Sequence, residues 1–296
     1  PGSYYLPFGN KRNKITINKG ESEYLTDLIM EKTLLFLDSV NSPFFLNYSP
    51  YAVHTPIHPV DSLMHKYKSK PPYKGQKNPK YATMVENLDR NIGLLVNKLK
   101  ARKLFDNTFI IFTSDNGGYY GKITMQKPLR AGKGSYYEGG IRVPFFFLWK
   151  DRISSGRNTQ IPISHLDIFP TLMNLIEDNS MKNQLDGRSL LSLMTEGQAL
   201  AERSFFWHFP IYLQGYDIKD NENRDSLFRT RPGSIIRKGD WKLHYYFEDN
   251  GMELYNLKDD ISESNNLAES HIEKRQELME ELVDWWQNTN APIPSQ

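Results

Sequence analysis

The sequence predicts an α/β fold followed by a smaller α+β region, and three observations carry this. Two segments of helical period are each followed by a short run of aromatic and β-branched residues, the signature of βα-type units. One such run, Asp106 to Gly118 (DNTFIIFTSDNGG), stops abruptly in polar residues and glycines, the kind of strand end where open α/β sheets gather their chemistry. From about Glu202 the character changes to closely spaced short strands separated by tight turns, which reads as an antiparallel sheet.

Taken in order, residues 1–20 read as irregular loop. Tyr24, Leu25, Leu28, Ile29, Leu34, Leu35 and Leu37 recur at helical spacing, so 21–39 is an amphipathic helix that Asn41-Ser42-Pro43 ends. Phe44 to Tyr48 (FFLNY) reads as a short buried strand whose carboxyl end delivers His54. Residues 79–100 form a second helix, and because a strand follows it, Thr108 to Thr113 is expected to be a buried parallel strand. Residues 119–140 are too rich in glycine and charge to be core, and Val143 to Trp149 reads as another buried strand. Leu166 to Glu177 is a helix capped by Ser164 or Asp167. Strands follow at Ser204 to Phe209, Ser234 to Arg237, Trp241 to Phe247 and Met252 to Leu257, and a helix over 270–288 carries Leu278, Leu282, Val283, Trp285 and Trp286 toward that sheet. This divides the chain into an α/β domain, 1–200, and a C-terminal α+β subdomain, 201–296.

Composition bounds the function. With 296 residues and 39% apolar content, the chain can bury a sizeable core. A net charge of +2 is too small to argue for a nucleic-acid partner, and no apolar run approaches the roughly 20 residues that span a bilayer. Zero cysteines exclude disulfides and thiolate chemistry within the chain. The lysines are uneven: no acid lies between Asp61 and Glu86, while Lys66, Lys68, Lys70, Lys74, Lys77 and Lys80 all do. That stretch is either a solvated loop or a rim attracting an anionic polymer. The start, PGSYYLPFG, has no signal-peptide character and no element start, so an upstream portion is expected.

Asp115 and Asn116 offer a carboxylate and an amide carbonyl, hard oxygen donors suited to Ca²⁺ or Mg²⁺, although the same residues after any strand also make a plain turn. His54, between Ala-Val and Thr-Pro, sits on a stiffened loop as a general acid needs, or is hydrogen-bonded structure. His58 and His65 read as surface. Lys133 lies between two glycines; the spacing of a nucleotide P-loop is absent, but a ligand can approach the backbone closely and the lysine can grip a sulfate or phosphate. Arg130, Glu138 and Arg142 are expected to tie that loop together.

These residues, with YLTD at 24–27, PFFLNYSPYAVHTP at 43–56, MVENLDRNIG at 84–93, NTFIIFTSDNGG at 107–118, PLRAGKGSYYEGGIRVP at 128–144, SHLDIFPTL at 164–172, LDGRSL at 185–190, RKGDWKL at 237–243 and ELYNLKDDISESNNLA at 253–268, give a family likeness. The chain resembles the middle and C-terminal portion of the type I sulfatases, formylglycine-dependent enzymes of the alkaline-phosphatase-like superfamily. The resemblance implies a mixed sheet flanked by helices, incomplete at its N-terminus, with a smaller C-terminal antiparallel sheet plus helix. It implies that Asp115 and Asn116 are Ca²⁺ ligands, Mg²⁺ being the lesser alternative. It makes His54 a sulfate contact and the candidate to protonate the departing alcohol, and Lys133 a ligand of the sulfate and its bridging oxygen.

The family's nucleophile lies in a Cys/Ser-x-Pro-Ser-Arg motif near the N-terminus that is converted to formylglycine, and no such motif occurs here. The nucleophile and further metal ligands are therefore expected on a missing N-terminal segment of the same protein, and the chain alone is expected to be inactive. The implied function is removal of sulfate from a sulfated glycan, in a periplasmic or secreted setting. A truncated glycan-binding relative and a phosphatase or phosphonate hydrolase of the same superfamily are the alternatives. His208 in FFWHFP, with Trp207 and Tyr212, lines a sugar subsite or packs within the C-terminal sheet.

Overall fold

The computed structural model describes residues 2–6, 8–9, 14–15, 20, 22–121, 123–178, 180–181, 185–214, 222–224 and 227–294. The chain forms two compact units, one of residues 1–108 with 122–124 and one of 109–121 with 125–296.

In the first unit a two-stranded antiparallel ribbon, β1 (Phe8–Gly9) and β2 (Lys14–Ile15), precedes α1 (Leu25–Ser39), α2 (Asp61–Lys68) and α3 (Pro79–Ala101). Asn78 caps α3, its side chain accepting from Tyr81 N–H at 3.1 Å, with Pro79 pre-set for the first turn. Tyr4, Phe8, Tyr24, Leu25, Leu28 and Met84 form the core. Residues expected to be mere loop thus supply Tyr4 and Phe8 as fully buried anchors, because aromatic rings there cover the start of α1. Asp27 accepts from Asn87 Nδ2 at 3.0 Å and Asn91 Nδ2 at 2.7 Å, and burial raises its carboxyl above the usual range.

Three local expectations are corrected in this unit. Phe44 to Tyr48 is not a strand: it has no ladder partner among the described residues, it is flanked by Pro43 and Pro50, and Phe45 is 76% exposed. The lysine-rich stretch is not wholly loop, since Asp61–Lys68 is helical. His58 is half-buried rather than on the surface, its Nδ1 accepting from Tyr4 N–H at 3.3 Å.

The second unit holds β3 (Ile110–Thr113), α4 (Glu138–Ile141), β4 (Phe145–Leu148), α5 (Ile168–Leu175), α6 (Leu191–Thr195), β5 (Ser204–Phe209), β6 (Leu213–Gln214), β7 (Phe228–Thr230), β8 (Gly233–Lys238), β9 (Trp241–Tyr246), β10 (Gly251–Asn256) and α7 (Ile272–Thr289). Ser164 and Asp167 make a reciprocal capping box that starts the turn leading into α5. The C-terminal sheet runs in the order β10-β9-β8-β5, all antiparallel, as the short strands and tight turns predicted. Its two faces differ by strand alternation. Ile236, Leu243 and Leu254 pack with Leu278 and Leu282 of α7, whereas Lys242, His244 and Tyr246 point to the other face, where Tyr136 and Tyr137 lie.

β3 pairs with β4, and the pairing is antiparallel: Ile110↔Leu148 through Thr113↔Phe145. The expected parallel pairing of β3 fails because no long crossover helix joins the two strands; the connection has only the four-residue α4. Nor are these strands buried on both faces, since Phe112, Phe146 and Leu148 are 41, 62 and 41% exposed. Alternation puts those three on one face, while Phe147 on the other stacks on Phe109 at 6.0 Å.

Candidate active site

β3 ends at Thr113, and the chain turns through Ser114, Asp115 and Asn116. Asn116 Nδ2 donates to Asp115 Oδ1 at 3.1 Å, and Ser114 Oγ donates to the Asn116 carbonyl at 3.0 Å, so the turn fastens itself. Asp115 is exposed, and among the described residues it makes no salt bridge.

Lys133 comes to this turn through backbone contacts. Its N–H donates to the Gly118 carbonyl at 2.9 Å, and Gly117 N–H donates to the Gly140 carbonyl at 2.9 Å. Side chains would forbid the approach: a Cβ on Gly117 would stand 1.8 Å from the Gly139 oxygen, and one on Gly139 would stand 2.3 Å from the Ala131 oxygen. Of the glycines flanking Lys133, Gly132 is required by the same approach, a Cβ there standing 2.5 Å from the Gly118 oxygen, and Gly134 by its φ of 85°. The close backbone approach inferred from sequence is between loops of the protein itself.

Behind the loop lies a buried ionic cluster. Lys242 Nζ donates to Glu138 Oε1 at 3.0 Å and to Glu263 Oε1 at 2.8 Å, with all three side chains at most 1% exposed. Glu263 Oε2 also accepts from Glu138 N–H at 2.6 Å, which fixes the first residue of α4. Burial would raise the Glu263 carboxyl, but the Lys242 ammonium and the adjacent His244 pull it down to about 2. Burial lowers His244, whose Nε2 lies 3.4 Å from Glu263 Oε1, so the ring stays neutral. Arg142 and Arg237 flank Glu138 at 3.6 and 3.4 Å, and Arg130 lies over the Tyr137 ring at 3.9 Å while donating to the Glu263 carbonyl at 2.8 Å. Arg130, Glu138 and Arg142 therefore do tie the loop, with Lys242, Glu263 and His244 as the partners that sequence reasoning missed. The available signal was a lysine and a histidine two apart in WKLHYY, on one face of a strand.

His165 was also missed. Its Nε2 donates to the Ser114 carbonyl at 2.9 Å and lies 3.2 Å from Thr113 Oγ1, so the ring pins the residue just before Asp115. It follows the capping Ser164 in SHLDIFPTL, which reads from sequence only as a helix start.

His54 belongs to the first unit. It is exposed, its Nδ1 is 2.8 Å from the Thr55 carbonyl, and its own carbonyl accepts from Tyr4 Oη at 2.8 Å. A carbonyl only accepts, so the Nδ1 of the neutral ring carries the proton. His208 stands on β5, with Nδ1 2.5 Å from Ser234 Oγ and Nε2 donating to the Pro292 carbonyl at 3.0 Å. Trp286 Nε1 donates to the same Ser234 Oγ at 2.8 Å, so both His208 nitrogens are engaged where the sheet meets α7.

Asp115 and Asn116 fit a hard divalent cation by donor chemistry: two oxygen ligands on one turn, the carboxylate exposed and in no salt bridge among the described residues. They are not a full shell, since among the described residues no three His, Cys, Asp or Glu side chains are grouped to hold a metal.

The mixed α/β content with a small C-terminal sheet and helix is that of the alkaline-phosphatase-like sulfatase fold. The chain belongs to the sulfatase family, which its residues 4–178, more than half its length, match; residues 132–289 match "N-sulphoglucosamine sulphohydrolase, C-terminal". It is 33% identical to a "Sulfatase" of Formosa agariphila over 93% of this chain and 52% of that protein. It is 30% identical to the N-acetylgalactosamine-6-sulfatase of Canis lupus familiaris over 90% of this chain and 46% of that protein. The crystal structure of Ps i-CgsB in complex with k-i-k-neocarrahexaose superposes with a TM-score of 0.74 at 30% identity, covering 90% of this chain and 55% of that one. The chain thus spans about half the length of the curated relatives it matches.

Proposed function

We propose that this chain is part of a sulfuric ester hydrolase that removes sulfate from a sulfated carbohydrate, its formylglycine nucleophile supplied by polypeptide outside this chain. One observation carries the reading: the Lys133 backbone bonded to the Asp115-Asn116 turn through Gly118, with no intervening side chain. A sulfate ester needs positive charge on its oxygens and a proton donor at the leaving oxygen. Lys133 supplies a point charge for the sulfate. His54 is the proton donor to the departing alcohol in its imidazolium form, with Nδ1–H kept on the Thr55 carbonyl. Asp115 and Asn116 would hold Ca²⁺, which supplies further positive charge to the sulfate oxygens when bound. His208 is left out of the set, because both its ring nitrogens are spent on Ser234 and Pro292. By family likeness the setting is periplasmic or secreted.

The carbohydrate assignment draws on the N-acetylgalactosamine-6-sulfatase and neocarrahexaose-bound relatives. The test uses the chain produced together with the polypeptide bearing the Cys/Ser-x-Pro-Ser-Arg motif. Tryptic mass spectrometry should find the formylglycine peptide, and the protein should hydrolyse an aryl sulfate and release sulfate from a sulfated oligosaccharide. Turnover of an aryl phosphate in preference to the sulfate would replace this reading with the phosphatase one.

A further inference from the structure

The basic stretch between Asp61 and Glu86 has no part in the chemistry above. Its six lysines, Lys66, Lys68, Lys70, Lys74, Lys77 and Lys80, are all exposed. Lys66 pairs with Glu86 at 2.6 Å; among the described residues the other five make no salt bridge. With the whole chain at only +2, this is a local excess of positive charge rather than a share of a basic surface.

The stretch is built, not loose. Tyr73 and Gln76 exchange backbone hydrogen bonds at 3.2 and 2.9 Å, and Lys74 and Gly75 between them have φ of 47° and 83°, the geometry of a tight reversal that thrusts Lys74 to its tip. Gln76 Oε1 accepts from Thr124 Oγ1 at 2.9 Å and Asn78 caps α3, so the C-terminal end of the turn is tied. Tyr73 is 70% exposed with Lys74 Nζ 5.5 Å from its ring centre, and the Tyr67 ring has the ammonium groups of Lys66 and Lys70 at 5.2 and 5.1 Å. The exposed Tyr73 ring set among ammonium groups matches a sugar ring bearing sulfate esters.

The stretch is also joined to His54. The intervening residues are pinned by three tyrosine hydroxyls, Tyr4 to the His54 carbonyl at 2.8 Å, Tyr24 to the His58 carbonyl at 3.1 Å and Tyr5 to the Pro59 carbonyl at 2.7 Å. Val60 N–H then donates to Thr83 Oγ1 at 3.0 Å, immediately before α2 begins.

We propose that residues 66–80 are a platform for a sulfated polysaccharide, holding sulfated units beyond the one being hydrolysed through Lys68, Lys70, Lys74 and Lys77, with Tyr73 under a sugar ring. This rests on the sulfated-glycan reading and makes the substrate a polymer rather than a single sugar. The test is affinity electrophoresis of the 296-residue chain in gels containing dextran sulfate, unsulfated dextran or duplex DNA at equal ionic strength near 0.15 M. Dextran sulfate should retard the chain and dextran should not. The quadruple variant Lys68→Ser/Lys70→Ser/Lys74→Ser/Lys77→Ser should lose about tenfold or more in apparent affinity, and the matching Lys→Arg variant should keep it. Tyr73→Ala should weaken binding severalfold at unchanged charge. Circular dichroism checks that each variant is folded. A serine variant that still binds within twofold overturns the platform, and DNA binding as tight as dextran sulfate overturns the glycan assignment in favour of a general polyanion surface. Binding is read without turnover, so the two readings fail separately. A chain that binds through these lysines but never hydrolyses sulfate keeps the platform and loses the hydrolase; a hydrolase whose serine variant binds unchanged does the reverse.

Discussion

Lys242 in β9 donates from a fully buried ammonium to Glu138 Oε1, 3.0 Å away, and Glu138 closes the loop that carries Lys133. The C-terminal sheet therefore holds the Lys133 loop by charge. Removing the ammonium leaves Glu138 and Glu263 buried without their shared cation, and breaking such a pair costs about 3–5 kcal/mol. Lys242→Ala should lower the urea midpoint by a corresponding amount; a midpoint within experimental error of the parent would show that the cluster is not structural.

Acid should loosen the same cluster. The Glu263 carboxyl is depressed to about 2 from an ordinary 4.5, so it binds protons later in the folded state than in the unfolded one. Its contribution is full above pH 4.5 and is lost as pH falls toward 2. Burial also depresses His244 below its ordinary 6.5, which adds a loss with the same sign beginning near pH 6.5. Stability should thus fall in two steps on acidification. In Glu263→Gln the lower step should shrink, as measured by unfolding midpoints from pH 7 to pH 3; an unchanged profile would reject the assignment.

Gly117 has no room for a methyl group, with the Gly139 oxygen 1.8 Å from where it would sit. Gly117→Ala should destabilise the second unit by about 2 kcal/mol or more, the cost of overpacking plus the strained Gly140 hydrogen bond. Fusion with the parent midpoint would mean that the two loops separate freely.

Two substitutions separate charge from metal in the assembled enzyme. Lys133→Ala should reduce kcat on an aryl sulfate by about 10²–10³-fold, the scale for removing one preorganised electrostatic contact. Asp115→Ala should abolish activity with the melting temperature little changed, and chelation with EGTA should do the same to the parent, reversed by added Ca²⁺. Full activity in Asp115→Ala would remove the metal assignment.

Local pattern made the C-terminal sheet legible almost residue by residue, because hairpin turns and alternation are short-range signals. Ser204–Phe209 is a strand as read, and the last helix begins at Ile272 instead of residue 270. β3 was legible as a strand but not in its pairing, since a partner at least 32 positions onward is a property of the whole chain. Apolar content misled at Phe44 to Tyr48, which pairs with no strand among the described residues. Lys133 and Asp115 stood out because glycine marks close approach, whereas Lys242, Glu263 and His244 look like ordinary strand and loop residues until burial is known.

The loop contact at Gly117 and Gly139 is made by main chain alone. The spacing between the Lys133 backbone and the carboxylate turn is consequently inherited from peptide geometry and not from any rotamer. Sequence drift in the surrounding core can change how firmly the two loops are held, but it has no side chain through which to retune the gap between them. Variation in what such a protein accepts has to enter elsewhere, on the exposed segments around a ruler of fixed length.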